Sequence, residues 1–340
     1  MSIYAQLQQT MDDMIDADRG ILAADESTST ITKRLSAIGV ESTAENRRWY
    51  RSMLLSTPDL GRYLCGVIFY EETLNQKDEN GMLLPELASS QGIIPGIKVD
   101  KGKGDLPGAP GDMITYGLDG LAERLKGYRD QGARFAKWRE VYPITPHNPT
   151  LLGLTANAET LARYAAVCQS CGIVPIVEPE VLIDGDHSIE RSAEVNEQVW
   201  HSVFHALHQH GVRLEHMILK PSMVTAGKEA DTLSPEEVAD ATIRILRRTV
   251  PAAVPSINFL SGGQTPEEAT ANLNALNRHP ATTPWHLSMS YGRALQEPAM
   301  KAWSGDSDKR EEAQAALLKR ARLNSLARRG EYSPELEKEA

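Results

Sequence analysis

Lysines and carboxylates stand inside or at the ends of otherwise apolar runs. Asp25 closes GILAAD, Lys98 lies in IIPGIKVD, Lys137 and Arg139 in ARFAKWR, Glu178 and Glu180 in GIVPIVEPE, and Lys220 in HMILKPSM. Charges are costly to place among apolar residues without partners, so together they read as a site rather than as solvated rim charges. The lysines decide which chemistry. An amine in an apolar setting beside another cation loses the solvation that favours its ammonium form. A neutral amine among carboxylates is suited to attack a carbonyl and form a Schiff base, with the carboxylates moving protons during carbinolamine formation and dehydration. Lys220 is then the nucleophile, and Lys137 could supply the neighbouring cation. The alternative for Lys220 is a structural ion pair with Glu178 or Glu180.

Two glycine-containing turns add an anion site. Ser261-Gly262-Gly263 and Tyr291-Gly292-Arg293 each follow an apolar run. Small residues let backbone N–H groups approach an anion, a helix N-terminus adds its dipole, and Arg293 adds a bidentate contact. Together they point to a phosphorylated substrate.

These residues need a scaffold that brings them to one place. Strand-like runs recur at 20–25, 64–71, 93–100, 133–139, 172–180, 216–223, 256–263 and 285–292. Their spacing of roughly 30 to 45 residues is that of βα units. Helical patterns lie between them, and Ser234-Pro235-Glu236-Glu237 and Thr265-Pro266-Glu267-Glu268 each read as a cap, a proline and then acids. Eight such units predict an α/β protein with a single (β/α)8 barrel, whose C-terminal strand ends meet at one mouth. The expected ends offer Asp25, Glu71 with Glu72, Lys98, Lys137 with Arg139, Glu178 with Glu180, Lys220, Ser261 and Arg293. An extra N-terminal helix with an Ile3, Leu7, Met11 and Met14 stripe precedes the barrel core of about 20–300. A C-terminal helix and charged tail cover about 301–340, all within one domain, 1–340. The stretch DKGKGDLPGAPGD reads as a short Gly/Pro-rich loop.

Composition excludes other classes. The chain has 340 residues, with 36 Lys+Arg against 46 Asp+Glu and a net charge of −10. That balance argues against a dedicated nucleic-acid or anionic-membrane surface. No run approaches the roughly 18 apolar residues of a membrane span, and the acidic N-terminus lacks a signal-peptide core. Three cysteines imply no disulfide framework and a reducing compartment, so a cytoplasmic protein is expected. Cys168-x-x-Cys171 lacks a second ligand pair, and His201, His205, His208 and His210 crowd what reads as an outer helix, so no metal site is expected. The glycines of KGKGDLPGAPG lack a following helix at dinucleotide spacing.

The segments ILAADEST, KRL with ENRR, GIKVDKG, LDGLAERL, FAKWR, IVPIVEPE, LKPSMVT, LSGGQ and SYGRAL, in order from about residue 18 to about residue 332, resemble the class I fructose-bisphosphate aldolases. The resemblance implies a (β/α)8 barrel, a homotetramer, and reversible cleavage of fructose 1,6-bisphosphate into dihydroxyacetone phosphate and glyceraldehyde 3-phosphate in glycolysis and gluconeogenesis, with no metal or other cofactor. It makes Lys220 the Schiff-base lysine and Glu178, with Glu180 beside it, the acid/base for carbinolamine steps. Asp25 resembles the carboxylate acting on the C4 hydroxyl, and Lys137 the second lysine that holds the sugar hydroxyls and keeps Lys220 deprotonated. Ser261, Gly262, Ser290, Gly292 and Arg293 match a pocket for the C1 phosphate, with Gly263 in the same turn and Arg34 nearby. Ser27, Thr30 and Lys98 match the positions that meet the C6 phosphate, and Arg139 is counted with the binding residues.

The chain departs from the family pattern at Ser27-Thr28-Ser29-Thr30, where members often read STGS, and in ending PELEKEA without the terminal tyrosine of animal members; Tyr332 is its last tyrosine. Either another group then moves the proton at the enamine, or turnover and substrate preference differ. Two other readings compete. A transaldolase or monophosphate-specific aldolase would need one phosphate site, whereas Ser27, Thr30 and Lys98 speak for a second. A catalytically silent binding barrel would have no chemical reason to keep Asp25, Lys137, Glu178 and Lys220.

Overall fold

Eight parallel strands close on themselves: β1 (Gly20–Ala24), β2 (Leu64–Phe69), β3 (Ile94–Lys98), β6 (Phe135–Tyr142), β7 (Val174–Val181), β8 (Ile218–Leu219), β9 (Ser256–Phe259) and β10 (His286–Tyr291). Each pairs with its neighbours in chain order, and β10 returns to β1 through Ile21 beside Ser290. All eight apolar runs of the sequence become barrel strands. The computed structural model describes residues 2–15 and 18–338, so Met1, Asp16, Ala17, Glu339 and Ala340 of the expected 1–340 unit fall outside the described residues.

Two short strands are absent from the sequence reading. Within DKGKGDLPGAPGD and the residues after it, β4 (Lys103–Asp105) and β5 (Met113–Thr115) form an antiparallel hairpin between β3 and β6. Strands of three residues with glycine and proline between them carry no alternation to detect.

Among the described residues twelve α-helices pack around the barrel and its ends. In chain order these are α1 (Ile3–Met14), α2 (Thr28–Ala37), α3 (Ala44–Leu55), α4 (Glu71–Leu74), α5 (Leu84–Ser90), α6 (Leu121–Asp130), α7 (Leu151–Ser170), α8 (Ile189–Gln209), α9 (Pro235–Thr249), α10 (Pro266–Arg278), α11 (Arg293–Trp303) and α12 (Arg310–Arg328). The caps read from sequence form as capping boxes: Ser234 with Glu237 on α9 and Thr265 with Glu268 on α10.

Alternation along the strands divides the core. Inside the barrel Ile21, Ala23, Ile94, Phe135, Val174, Ile176 and Ile218 pack together, and Leu7, Met11 and Met14 of α1 close this lower end. Ile3, expected on the same stripe, is exposed instead. Glycine is required at 96, since a Cβ there would meet the Phe135 ring at 2.2 Å. The other strand faces pack against the helices through residues such as Trp138, Val177, Leu219 and Phe259. Above the apolar interior the same inward positions become polar, at Asp25, Lys98, Lys137, Arg139, Glu178, Glu180 and Lys220. The apolar layers below thus hold the charged layer at the C-terminal mouth.

Candidate active site

One cavity of about 440 Å³ opens at that mouth, lined by Asp25, Ser27, Thr30, Arg34, Lys98, Lys137, Arg139, Glu178, Glu180, Lys220, Ser261, Gly262, Ser290, Gly292 and Arg293. Of the residues read from the sequence as catalytic or phosphate-binding, it brings together all but Gly263, which instead lines a neighbouring cavity. A Cβ on Gly263 would meet Lys228 and then Arg293, and its φ of +94° favours glycine. Glu71 and Glu72 do not join the mouth. They open α4, where Glu71 pairs with Lys101 at 2.5 Å and Glu72 with Arg47 and Arg51.

The centre is a chain of four buried charges. Lys137 and Glu178 are two residues up their strands from Phe135 and Ile176, so alternation keeps both inside the barrel. Lys220 follows β8 directly, its amide donating to the Val177 carbonyl at 2.8 Å. Lys137 Nζ lies 2.8 Å from Asp25 Oδ2 and 3.1 Å from Glu178 Oε2. Glu178 Oε1 lies 3.3 Å from Lys220 Nζ. The ion pair allowed for Lys220 therefore exists, with Glu178, and it sits on the cavity wall. Glu180 is bound instead by Arg139.

Electrostatics fix three of these protonation states. Burial would raise the Asp25 carboxyl, but Lys137, Lys220 and Lys98 outweigh it and hold Asp25 well below its ordinary value. Burial likewise raises Glu178, and Lys137, Lys220 and Arg139 together hold it below the usual range. Burial alone would lower Lys137, yet Asp25, Glu178 and Asp100 push it far above the ordinary lysine value. Lys137 is thus a permanent cation between two carboxylates. Glu178 Oε2, despite its 3.1 Å approach to Lys137, has no hydrogen-bond partner of acceptable geometry. It is a buried acceptor facing the cavity.

The rim carries groups suited to anions. Ser27 caps α2, and its hydroxyl lies 3.1 Å from those of both Ser29 and Thr30. Lys98 Nζ donates to Asp100 Oδ1 at 2.5 Å and to the Asp100 carbonyl at 3.0 Å. Across the mouth, Ser261 is buried, Ser290 Oγ is buried without a partner, and Arg293 opens α11 just after Gly292. Gly262 adopts a φ of +56°, turning the backbone after Ser261.

Sequence reasoning missed the support behind this rim. Glu26 pairs with Arg34 and accepts from Gln296 Nε2 at 2.8 Å, and Gln296 also donates to the Ala23 carbonyl at 2.6 Å. Arg51 donates to the Glu26 carbonyl at 2.8 Å. Gln296 is distant in sequence and reaches Glu26 only through barrel closure. The adjacency of Glu26 to Asp25 at a strand end was the available signal. Lys33, beside Arg34, also lines the cavity.

The tyrosine nearest the end of the chain does not reach this mouth. Tyr332 is buried over α9 and α10, donates its hydroxyl to Glu337 at 3.0 Å, and lines the neighbouring cavity. His201, His205 and His208 lie exposed along α8, and among the described residues no group of three or more His, Cys, Asp or Glu is arranged to hold a metal ion. Cys65, Cys168 and Cys171 are buried and unbridged. No helix among the described residues is long and apolar enough to cross a membrane.

A family model for class-I fructose-bisphosphate aldolase matches residues 6–340. Fructose-bisphosphate aldolase C of Pan troglodytes is 53% identical over 316 residues, 92% of this chain and 87% of that protein. The chloroplastic aldolase 3 of Arabidopsis thaliana is 51% identical over 335 residues, covering 98% and 85%, and its cytosolic aldolase 6 is 52% identical over 314 residues, covering 92% and 88%. Among solved structures, the fructose-bisphosphate aldolase of Plasmodium falciparum, in a ternary complex with TRAP and a small-molecule inhibitor, superimposes with a TM-score of 0.95 at 49% identity, over 97% of this chain and 96% of that one.

Proposed function

The chain belongs to the class-I fructose-bisphosphate aldolase family and is a fructose-bisphosphate aldolase, a lyase, and from that premise we propose that Lys220, Glu178, Lys137 and Asp25 carry the cleavage. The observation that supports this assignment is the Glu178 carboxylate between two lysines, with Lys220 on the cavity wall at 3.3 Å.

The Lys220 amine attacks the C2 carbonyl of fructose 1,6-bisphosphate, and the carbinolamine forms. Glu178, a carboxylate within reach of that nitrogen, takes a proton from it and passes that proton to the departing C2 hydroxyl, and water leaves to give the iminium. Asp25 takes the proton of the C4 hydroxyl. As the C4–O becomes a carbonyl, the C3–C4 bond breaks and its electron pair moves into the iminium, giving an enamine and free glyceraldehyde 3-phosphate. The proton Asp25 took from the C4 hydroxyl balances the one added at C3, and water then hydrolyses the iminium to release dihydroxyacetone phosphate and free Lys220. Lys137 stays charged throughout, fixing Asp25 and Glu178 as bases and offering a cation to the substrate hydroxyls. The Lys220 iminium is the electron sink, so the reaction is metal-independent and needs no cofactor.

Two phosphates need two anion sites. Ser261, Gly262, Ser290, Gly292 and Arg293, with Arg34 and the adjacent Gly263 turn, receive the C1 phosphate. Ser27, Thr30, Lys98 and Arg139, with Glu180 orienting Arg139, receive the C6 end. The same reading takes residues 1–340 as one domain, assembled as a cytoplasmic homotetramer. Its test is a cleavage assay of Lys220→Met, with circular dichroism to show that the barrel is kept. Loss of essentially all turnover supports the assignment, and wild-type-like turnover overturns it. Activity insensitive to EDTA supports the metal-free course, and loss restored by zinc overturns it.

A further inference from the structure

Glu140 is a buried acid that the reaction above does not use. It lies on β6 one residue past Arg139, so alternation turns it out of the barrel, away from the substrate cavity. Its side chain is fully buried. Two donors converge on it: the Trp138 indole Nε1–H reaches Oε1 at 2.9 Å, and the Thr115 amide reaches Oε2 at 3.1 Å. Thr115 ends the β4–β5 hairpin, and its hydroxyl donates to the Arg139 carbonyl at 2.9 Å. The hairpin is therefore stitched to β6 twice at the point where Arg139 leaves the strand. Its other side is fixed at Asp112, which accepts from the Thr150 amide at 2.9 Å and from Asn148 Nδ2 at 3.0 Å. The same hairpin carries Lys103, close enough to Arg139 and Glu180 to feel both charges.

We propose that Glu140 is a positioning residue: its carboxylate clamps the β4–β5 hairpin onto β6 and thereby sets Arg139 and Lys103 at the rim that receives the distal phosphate. The proposal rests on the bisphosphate reading of the mouth. A carboxylate accepts through both oxygens, so it can serve Trp138 and Thr115 together. A protonated Glu140 keeps one good acceptor and turns the other oxygen into a donor, and one of the two N–H groups loses its partner. Burial pushes Glu140 up to about 7, the Trp138 and Thr115 hydrogen bonds opposing the rise and Asp100 adding to it. The ionisable groups around it are Asp100 after β3, Tyr142 on β6, which also feels Asp112 of the hairpin loop, and Tyr164 of α7, packed against Trp138. Its partner position on β7 is Pro179, which brings no charge. The clamp is thus charged and complete above neutrality and loosened below it.

The test measures kcat and KM for fructose 1,6-bisphosphate between about pH 6 and 8.5 in wild type, Glu140→Gln and Thr115→Val, with borohydride trapping of dihydroxyacetone phosphate on the same preparations. Glutamine keeps the volume and offers one acceptor only. At about pH 8.5 Glu140→Gln raises KM roughly three- to tenfold with little change in kcat, the scale of one weakened charged contact. The ratio of KM values falls toward one at about pH 6, where wild-type Glu140 is itself protonated. Thr115→Val, which removes only the Arg139 link, raises KM without that pH dependence, and carries the test should Glu140→Gln not fold. A KM unchanged in both variants, or a ratio independent of pH, overturns the proposal. Trapping at Lys220 stays intact in the variants; its failure in wild type would instead count against the assignment of Lys220.

Discussion

The Glu178 carboxylate faces Lys220 Nζ with one oxygen at 3.3 Å and keeps its other oxygen 3.1 Å from Lys137 Nζ. One acid therefore serves two lysines of different character. Lys137 is locked as a cation between Glu178 and Asp25, and Lys220 stands at the edge of the array, open to the cavity. On the proposed course that asymmetry separates the nucleophile, Lys220, from the electrostatic support, Lys137.

Replacing Glu178 by Gln keeps its volume and removes its proton-carrying ability. A positioned acid/base contributes about 10² to 10⁴ in rate. Glu178→Gln is expected to lower kcat by that order with a smaller change in KM, and iminium formation followed by rapid quench should slow in parallel. A kcat within tenfold of wild type would remove Glu178 from the proton-transfer step.

Lys137 is nearly inaccessible, and deleting its charge leaves Asp25 and Glu178 facing each other without it. Breaking such a buried array costs about 3–5 kcal/mol. Lys137→Met is therefore expected to unfold at markedly lower urea concentration at neutral pH. The deficit shrinks in acid, because the two stranded carboxylates can then be protonated. A deficit that does not change with pH would mean that lost packing, not charge, sets the cost.

Asp25 and Glu178 are held below their ordinary values of 3.8 and 4.5. Between the folded and ordinary values the unfolded chain binds more protons, so stability rises with pH across that window. The contribution is complete above the ordinary values and lost as pH falls through the folded ones. Urea unfolding from about pH 2 to 6 should therefore show a steeper acid loss in wild type than in Asp25→Asn. Identical slopes would show that Asp25 titrates alike in both states.

The two-phosphate reading predicts a selective effect at Lys98. Lys98→Ala should raise KM for fructose 1,6-bisphosphate by roughly tenfold or more, the scale of a lost charged hydrogen bond, and leave fructose 1-phosphate cleavage nearly unchanged. Equal losses on both substrates would place Lys98 with the reacting carbons or the C1 phosphate. Arg293→Ala should weaken both substrates together.

Most of this site was legible because barrel topology turns strand ends into a single mouth. Asp25, Lys98, Lys137, Glu178 and Lys220 announce themselves as charges in apolar runs, and no long-range contact need be known to gather them. What stayed hidden depends on pairing across the chain. Glu26 with Gln296 meets only when β1 and β10 close the barrel. Glu140 gains its partner Thr115 only when the β4–β5 hairpin, read as a loop in the sequence, folds over it. Gly263 reads with its neighbours Ser261 and Gly262 in the sequence, and only the fold shows its left-handed turn lying between Lys228 and Arg293. Glu71 and Glu72 follow β2 directly, but they start a helix whose side chains are drawn to Arg47, Arg51 and Lys101.

Reductive trapping addresses the central claim without relying on a variant. Wild-type protein is mixed with dihydroxyacetone phosphate, reduced with borohydride, digested and sequenced by mass spectrometry. Lys220 is expected to carry the reduced triose phosphate, with activity lost in proportion to the label. An adduct on Lys137 or Lys98, or active folded protein that acquires none, would contradict the account.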